Sequence, residues 1–158
     1  MDILTENDSF GEYPRSYYLD TTTLLPRFGC LEEHLTCEVC VIGGGYTGLS
    51  TALSLSERGY NVVLLEAQRL AFGASGRNGG QVCSGQRWSV TELKNSFGLE
   101  RAKALWNIGE AAKNEVKLRI ESHDIDCDYS PGIIHAELRS KALGSIQNEV
   151  DQLNNVHD

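Results

Sequence analysis

The sequence predicts an α/β fold built on a strand, a glycine turn, a helix and a second strand. Three observations carry that prediction. Two short apolar runs, 37–42 and 62–65, have the length and composition of strands. Between them, residues 46–58 place Leu49, Ala52, Leu53 and Ser56 at i, i+3, i+4 and i+7, a helical period with a narrow face of small residues. Glycines stand where the chain must turn: Gly43, Gly44 and Gly45 before the helix, and Gly59 after it. A strand–helix–strand unit of this length pairs its two strands in parallel. Continuous apolar strands of that kind are buried on both faces.

Bulk properties narrow the function. The chain has 158 residues, enough for one domain or for part of a larger protein. Hydrophobic residues make up 41% and charged residues 23%, a globular composition. The formal net charge of −8 argues against a nucleic-acid partner or an anionic membrane surface. The first eight residues are polar and acidic and resemble no secretion signal. No apolar run reaches the roughly 20 residues of a membrane span. A cytoplasmic location is expected.

Five cysteines, an odd number, argue against a disulfide framework. Cys37 and Cys40 have the spacing of a metal or redox pair. On a strand, however, residues three apart point to opposite faces, so the two thiols cannot share a ligand. They are expected as buried core residues, with no metal site.

The pattern divides the chain into three segments. Residues 1–35 have no sustained period and scattered aromatics. Composition admits both an extended arm lying on the body and a partly disordered tail. Residues 36–90 contain the strand–helix–strand unit and a glycine-rich loop at 71–85. Residues 91–158 open with a mostly helical stretch, 91–122, with Leu105, Ile108, Ala112, Val116 and Ile120 on one stripe. Trp106, beside that stripe, is expected in the core. A turn at Pro131-Gly132, a strand at 133–138 and a last helix carrying Leu143, Ile146, Val150 and Leu153 complete the reading.

The chemistry lies in Val41-Ile42-Gly43-Gly44-Gly45-Tyr46-Thr47-Gly48, which fits G-x-G-x-x-G. Gly43 permits the tight turn, Gly45 lets backbone meet a pyrophosphate, and Gly48 allows close helix–strand packing. The helix beginning near Tyr46 aims free N–H groups and its positive end at phosphates. The hexad alone is weak. Here a strand precedes it, a helix succeeds it, and Glu66 stands 18 residues after Gly48 at the tip of the second strand. An acid there accepts hydrogen bonds from an adenosine ribose and disfavours a 2′-phosphate. Both FAD and NAD use this arrangement. The segment Arg69–Gln81 is long, polar and glycine-dense, suited to wrapping a bulky cofactor and placing Arg77 near negative charge.

The run from Cys37 to Gln81, and above all Gly73-Ala-Ser-Gly-Arg-Asn-Gly-Gly-Gln81, resembles the amino-terminal segment of the D-amino-acid oxidase-like FAD-dependent oxidoreductases. Ser16-Tyr17-Tyr18, the strand Thr36–Gly43, and Ile125-Asp126-Cys127-Asp128-Tyr129 make it most similar to the gamma-glutamylputrescine oxidases. The resemblance implies a Rossmann-like FAD-binding unit followed by the start of an α+β substrate domain. Gly43, Gly45, Tyr46, Thr47 and Gly48 would hold the pyrophosphate, and Glu66 the adenosine ribose with Ala67 and Gln68 beside it. Gly73, Ala74 and Ser75 would follow the cofactor inward, and Arg77, Asn78, Gly79, Gly80 and Gln81 would approach the ribityl chain and isoalloxazine.

The implied activity is oxidation of an amine C–N bond, with hydride transfer to flavin and oxygen as acceptor. A small amino acid (glycine, sarcosine or a D-amino acid) is the alternative substrate, and a non-catalytic FAD-binding remnant the alternative role. No histidine lies between Glu66 and Gly85, so FAD is expected to be non-covalent. No catalytic residue is assigned. Family members are long enough for two domains, so the chain is expected to be truncated, with a separate chain as a candidate source of the rest.

Overall fold

The structure, a computed structural model, describes residues 6, 9–134, 136 and 143–157. It forms two compact units, Met1–Gly80 and Gln81–Asp158.

The first unit is built on β1 (Val39–Ile42) and β2 (Val62–Leu65), paired in parallel with Val39 opposite Val62 and Ile42 opposite Leu65. Asn61 sets the entry to the pair. Its carbonyl accepts from the Glu38 and Val39 amides, and its own amide donates to the Glu38 carboxylate at 2.8 Å. Past Ile42 the Gly43 amide still donates to the Leu65 carbonyl, at 2.7 Å, so the ladder runs into the glycine turn.

Ahead of β1, Ser16 caps the short helix α1 (Tyr17–Thr21), its hydroxyl accepting from the Leu19 amide. Helix α2 (Tyr46–Glu57) links the strands and packs on both. It ends as its glycine dictates. Gly59 takes φ +88°, its amide donates to the Ser56 carbonyl, and the Tyr60 amide donates to the Leu55 carbonyl. These are the paired bonds of a Schellman close, which needs a residue free to adopt a left-handed backbone.

Packing differs from the sequence expectation in two ways. Cys40 and Ile42 are exposed, and Ile42 is 84% accessible. The sheet has two strands among the described residues. Alternation therefore shields Val39 and Val41 and leaves Cys40 and Ile42 outward, so Cys40 is no core cysteine; Cys37 is half-buried. The contact face of α2 is also rotated. Gly48, Ala52 and Leu55 are partly covered, whereas Leu49 and Leu53 are exposed. The tight approach at Gly48, described below, sets that rotation.

Among the described residues of this unit the buried large apolar side chain is Phe72, flanked by the Tyr13 ring at 6.5 Å and the Arg77 guanidinium at 4.6 Å.

The second unit is helical. The sequence reading makes 91–122 mostly helical, and it is: α3 (Val90–Phe97) and α4 (Leu99–Ser122) meet at Gly98, φ +80°. Helix α3 begins with a reciprocal cap: Ser89 Oγ accepts from the Glu92 amide, and the Glu92 carboxylate accepts from the Ser89 amide. The two helices pack through Val90, Leu93, Ala102 and Trp106, all buried.

Trp106 is thus a core residue, as expected. The predicted stripe is not the buried face: Ile108 is 62% exposed and Val116 40% exposed. The packed face is fixed by the stretch before α3. A Cβ on Gly85 would lie 2.7 Å from Trp106 Cζ3, the Gln86 side-chain amide donates to the Leu105 carbonyl, and Lys113 donates to Ser84 Oγ. Helix α5 (Leu143–His157) forms where its apolar period predicts, and it contacts α3. Of the predicted strand at 133–138, residues 133, 134 and 136 are not in a strand, and the others lie outside the described residues.

Candidate functional site

The site grows from the turn between β1 and α2. Gly43 takes φ +101°, a conformation that side chains rarely adopt. Gly48 faces it across the first turn of α2. A Cβ on Gly48 would stand 1.8 Å from the Gly43 carbonyl oxygen and 3.4 Å from Val41 Cγ1. Only a glycine lets the helix start this close to the end of the strand. The start of α2 therefore lies directly over the tip of β1, with its first amides at the mouth of the turn.

That helix end is open to an anion. Its N-cap is Gly45, which has no side chain to bond the first amides, and its first turn holds no acidic residue. The positive end of the helix dipole is not offset by the helix itself. Ser75 reaches it from another segment, with Oγ accepting from the Tyr46 amide at 3.0 Å. A Cβ on Gly45 would lie 2.8 Å from that hydroxyl. The space freed by Gly45 is thus faced by Ser75.

Glu66 comes directly after the last residue of β2. One carboxylate oxygen accepts from the Gly44 amide at 2.6 Å and the other from the Gln68 amide at 2.9 Å. Charge-assisted bonds of this kind hold the carboxylate rigidly against the glycine turn. Each oxygen keeps a lone pair for a further donor such as a ribose hydroxyl.

Gly44, which the motif reading passed over, is a third steric requirement. It is buried, its carbonyl accepts from the Ala71 amide at 2.8 Å, and a Cβ there would meet Leu70 Cδ2 at 2.5 Å. Three glycines in a row, one more than the motif asks for, were the available signal.

The glycine-rich segment returns to the same place. Ala74–Gly76 forms a 3-10 turn that presents Ser75. Asn78 ties it down: its side-chain NH2 group donates to the Ser75 carbonyl at 2.8 Å and lies 3.3 Å from the Tyr46 hydroxyl, while its carbonyl oxygen accepts from the Gly80 amide. Tyr18, Tyr46, Ser75, Gly76, Asn78 and Gly80 line a hollow of about 120 Å³.

Of the predicted residues, Gly43, Gly45, Tyr46, Gly48, Glu66, Gln68, Ser75, Asn78 and Gly80 are drawn together by these bonds and contacts. Arg77 turns instead to the Phe72 carbonyl, 2.8 Å from Nε, and lies over the Phe72 ring. Thr47, Ala67, Gly73, Ala74 and Gly79 are exposed. Gln81 begins the second unit and is not grouped with the rest. Tyr18, at the hollow, was not singled out as a site residue.

The arrangement suits a dinucleotide. A close-packed strand-to-helix turn, an uncapped helix start and an acid at the tip of the next strand are the three parts such a ligand requires. The sequence profile of a family described as "FAD dependent oxidoreductase" matches residues 38–158. The chain belongs to this family.

It is similar to "Gamma-glutamylputrescine oxidoreductase" of Escherichia coli (strain K12), with 41% identity over 138 residues, which are 87% of this chain and 32% of that protein. It is also similar to "Probable oxidoreductase OrdL" of Haemophilus influenzae, 36% identical over 140 residues, 89% of this chain and 32% of the relative. A more distant likeness, 33% over 123 residues, links 78% of the chain to 24% of "Putative Rieske 2Fe-2S iron-sulfur protein YhfW" of Bacillus subtilis (strain 168). No solved structure matches. The chain spans about a third of the length of the first two relatives.

The residues present fit the FAD that the family description names. The hollow, at about 120 Å³, is smaller than the roughly 300–1,000 Å³ of a complete small-molecule pocket. None of the helices described is long and apolar enough to cross a membrane.

Proposed function

We propose that the first unit holds FAD non-covalently, and that the protein contributes it to oxidation of an amine C–N bond. The observation that carries this reading is the close approach of Gly48 to the Gly43 carbonyl, which puts a helix start with no N-cap side chain of its own beside a fixed carboxylate.

In this reading the pyrophosphate lies at Gly43, Gly45, Tyr46, Thr47 and Gly48 and is received by backbone N–H groups of the helix start; the Gly43 amide stays on the Leu65 carbonyl and shapes the turn, and the Tyr46 amide would exchange Ser75 Oγ for a phosphate oxygen. Glu66, flanked by Ala67 and Gln68, takes the adenosine ribose through its remaining lone pairs. Gly73, Ala74 and Ser75 lead the cofactor inward, and Arg77, Asn78, Gly79, Gly80 and Gln81 lie along the ribityl chain and ring. Arg77 would have to leave the Phe72 carbonyl to reach a phosphate. FAD, when bound, supplies the acceptor for a hydride; the protein binds and orients it.

The substrate proposed is an amine such as gamma-glutamylputrescine, on the strength of the Escherichia coli relative's name. Oxygen is the proposed final acceptor, and a separate chain a proposed source of further site residues. Equilibrium dialysis with FAD, and with NAD for comparison, tests the binding; retention of FAD alone is expected, and preference for NAD would overturn it.

A second reading, cofactor binding without turnover by these residues alone, is favoured by the lining of the hollow. Among the described residues that line it, no side chain is a carboxylate, an amine or an imidazole. Peroxide release on adding gamma-glutamylputrescine, glycine, sarcosine or a D-amino acid separates the two. Turnover at a rate like that of a longer relative would exclude the second.

A further inference from the structure

We propose that residues 11–27 form a clasp over residues 66–80, and that the clasp adds Tyr18 to the cofactor wall as a binding residue. The second half of this inference rests on the proposed FAD site; the first half does not.

The clasp is a set of bonds between segments far apart in sequence. The Gly11 amide donates to Gln68 Oε1 at 2.6 Å. The Tyr13 hydroxyl donates to the Leu70 carbonyl at 2.7 Å. Arg69 Nη2 donates to the Leu25 carbonyl at 2.6 Å, and the same guanidinium lies over the Tyr13 ring, 4.8 Å from its centroid. The Tyr13 ring in turn neighbours the buried Phe72. Arg27 closes the loop of chain by pairing with Glu12, and lies against Gly11, which is itself buried and takes φ +72°. Three hydrogen bonds, a cation on a ring and an aromatic pair thus tie the arm to the seven residues from Glu66 to Phe72.

Those seven residues also place the site. Glu66 holds the Gly44 amide, the Ala71 amide holds the Gly44 carbonyl, and Leu70 lies against Gly44. Fixing them from the outside fixes the glycine turn from behind. The same arm delivers α1, and with it Tyr18. The Tyr18 hydroxyl stands 2.9 Å from where a Gly80 Cβ would be, at φ +66°, so Gly80 is the residue that admits the phenol. Also lining the hollow are the Tyr46 phenol, the Ser75 hydroxyl and the Asn78 amide. Two rings and four polar groups around a small hollow suit a ligand part with hydroxyls and an aromatic face. A phenol there both donates and accepts.

The experiment uses the whole chain and has a ligand-free arm and a flavin arm. In the first, trypsin cleavage after Arg15 and Arg27 is monitored in the wild type and in Tyr13→Phe and Gln68→Ala. Loss of one clasp bond is expected to raise cleavage about fivefold, the factor that one ordinary hydrogen bond is worth. Equal rates in all three proteins would overturn the clasp.

In the second arm, FAD affinity is measured by fluorescence for wild type, Tyr18→Phe and Tyr18→Ala. A fall of about tenfold in Tyr18→Ala, with a smaller fall in Tyr18→Phe, is expected. Unchanged affinity in Tyr18→Ala would remove Tyr18 from the wall. A wild type that binds no FAD would overturn the proposed function and Tyr18's role with it, while the cleavage rates still decide the clasp.

Discussion

Replacing Gly48 by alanine tests the packing on which the site depends. The new Cβ would lie 1.8 Å from the Gly43 carbonyl oxygen, where real Cβ contacts do not come closer than 3.0 Å. The helix start or the turn must therefore move by more than an ångström. The opponent is backbone, held by the Gly43–Leu65 hydrogen bond and by the φ of Gly43, so no side chain can swing aside.

Overpacking of this kind costs about 1–3 kcal/mol, and a backbone opponent places Gly48→Ala at the upper end. About 3 kcal/mol corresponds to a fall in melting temperature of roughly 12–24 °C for a unit of this size. Gly29→Ala is the control, because its Cβ would meet nothing within 4 Å and its φ is ordinary. Gly44→Ala should fall between them, since its nearest neighbour is the end of a leucine side chain. Thermal unfolding measured by circular dichroism gives the ranking. A Gly48→Ala protein that melts with Gly29→Ala would refute the claim that helix and strand meet at Gly48.

The same geometry sets further outcomes. Glu66→Ala leaves the Gly44 and Gln68 amides without their acceptor and should cost about 1–3 kcal/mol; chemical denaturation measures it, and an unchanged midpoint would contradict the bonding. Ser75→Ala removes the acceptor of the Tyr46 amide and should weaken adenine-dinucleotide binding along with stability; titration of variant against wild type reads both. Ser89→Ala should destabilise the helical unit by about 1 kcal/mol, as loss of an N-cap does. Hydrogen bonds from the Ser89 backbone and side chain hold the Glu92 carboxyl below its ordinary value of 4.5. A lowered folded value means stability present above the unfolded value and lost as pH falls through the folded one. Acid unfolding of the wild type below pH 4.5 should thus contain a component that Glu92→Gln lacks; identical acid limbs would contradict it.

What the sequence disclosed, and what it hid, divides along physical lines. Gly43 and Gly48 were legible because their requirement is steric and local. So was the end of α2, since Gly59 supplies the left-handed residue that a Schellman close needs. The contact face of α2 was not. Leu49 and Leu53 look like the buried pair on a helical wheel, but the approach at Gly48 rolls the helix onto Gly48, Ala52 and Leu55.

The break at Gly98 could have been read from Ser89-Val-Thr-Glu92, a capping-box pattern that starts a helix at Val90 and leaves Gly98 two turns later to end it. Exposure of Cys40 and Ile42 was hidden because strand composition does not reveal how many neighbours a sheet has. The bonds from Gly11 and Tyr13 to Gln68 and Leu70 span 57 positions, and no local pattern announces them.

The most direct test of the cofactor reading is the visible absorbance of the purified, desalted chain. Non-covalent FAD binding by the first unit predicts a flavin spectrum that stays with the protein, is released on denaturation, and is lost in Gly48→Ala. A folded, soluble protein that is colourless and remains so after incubation with FAD would contradict it.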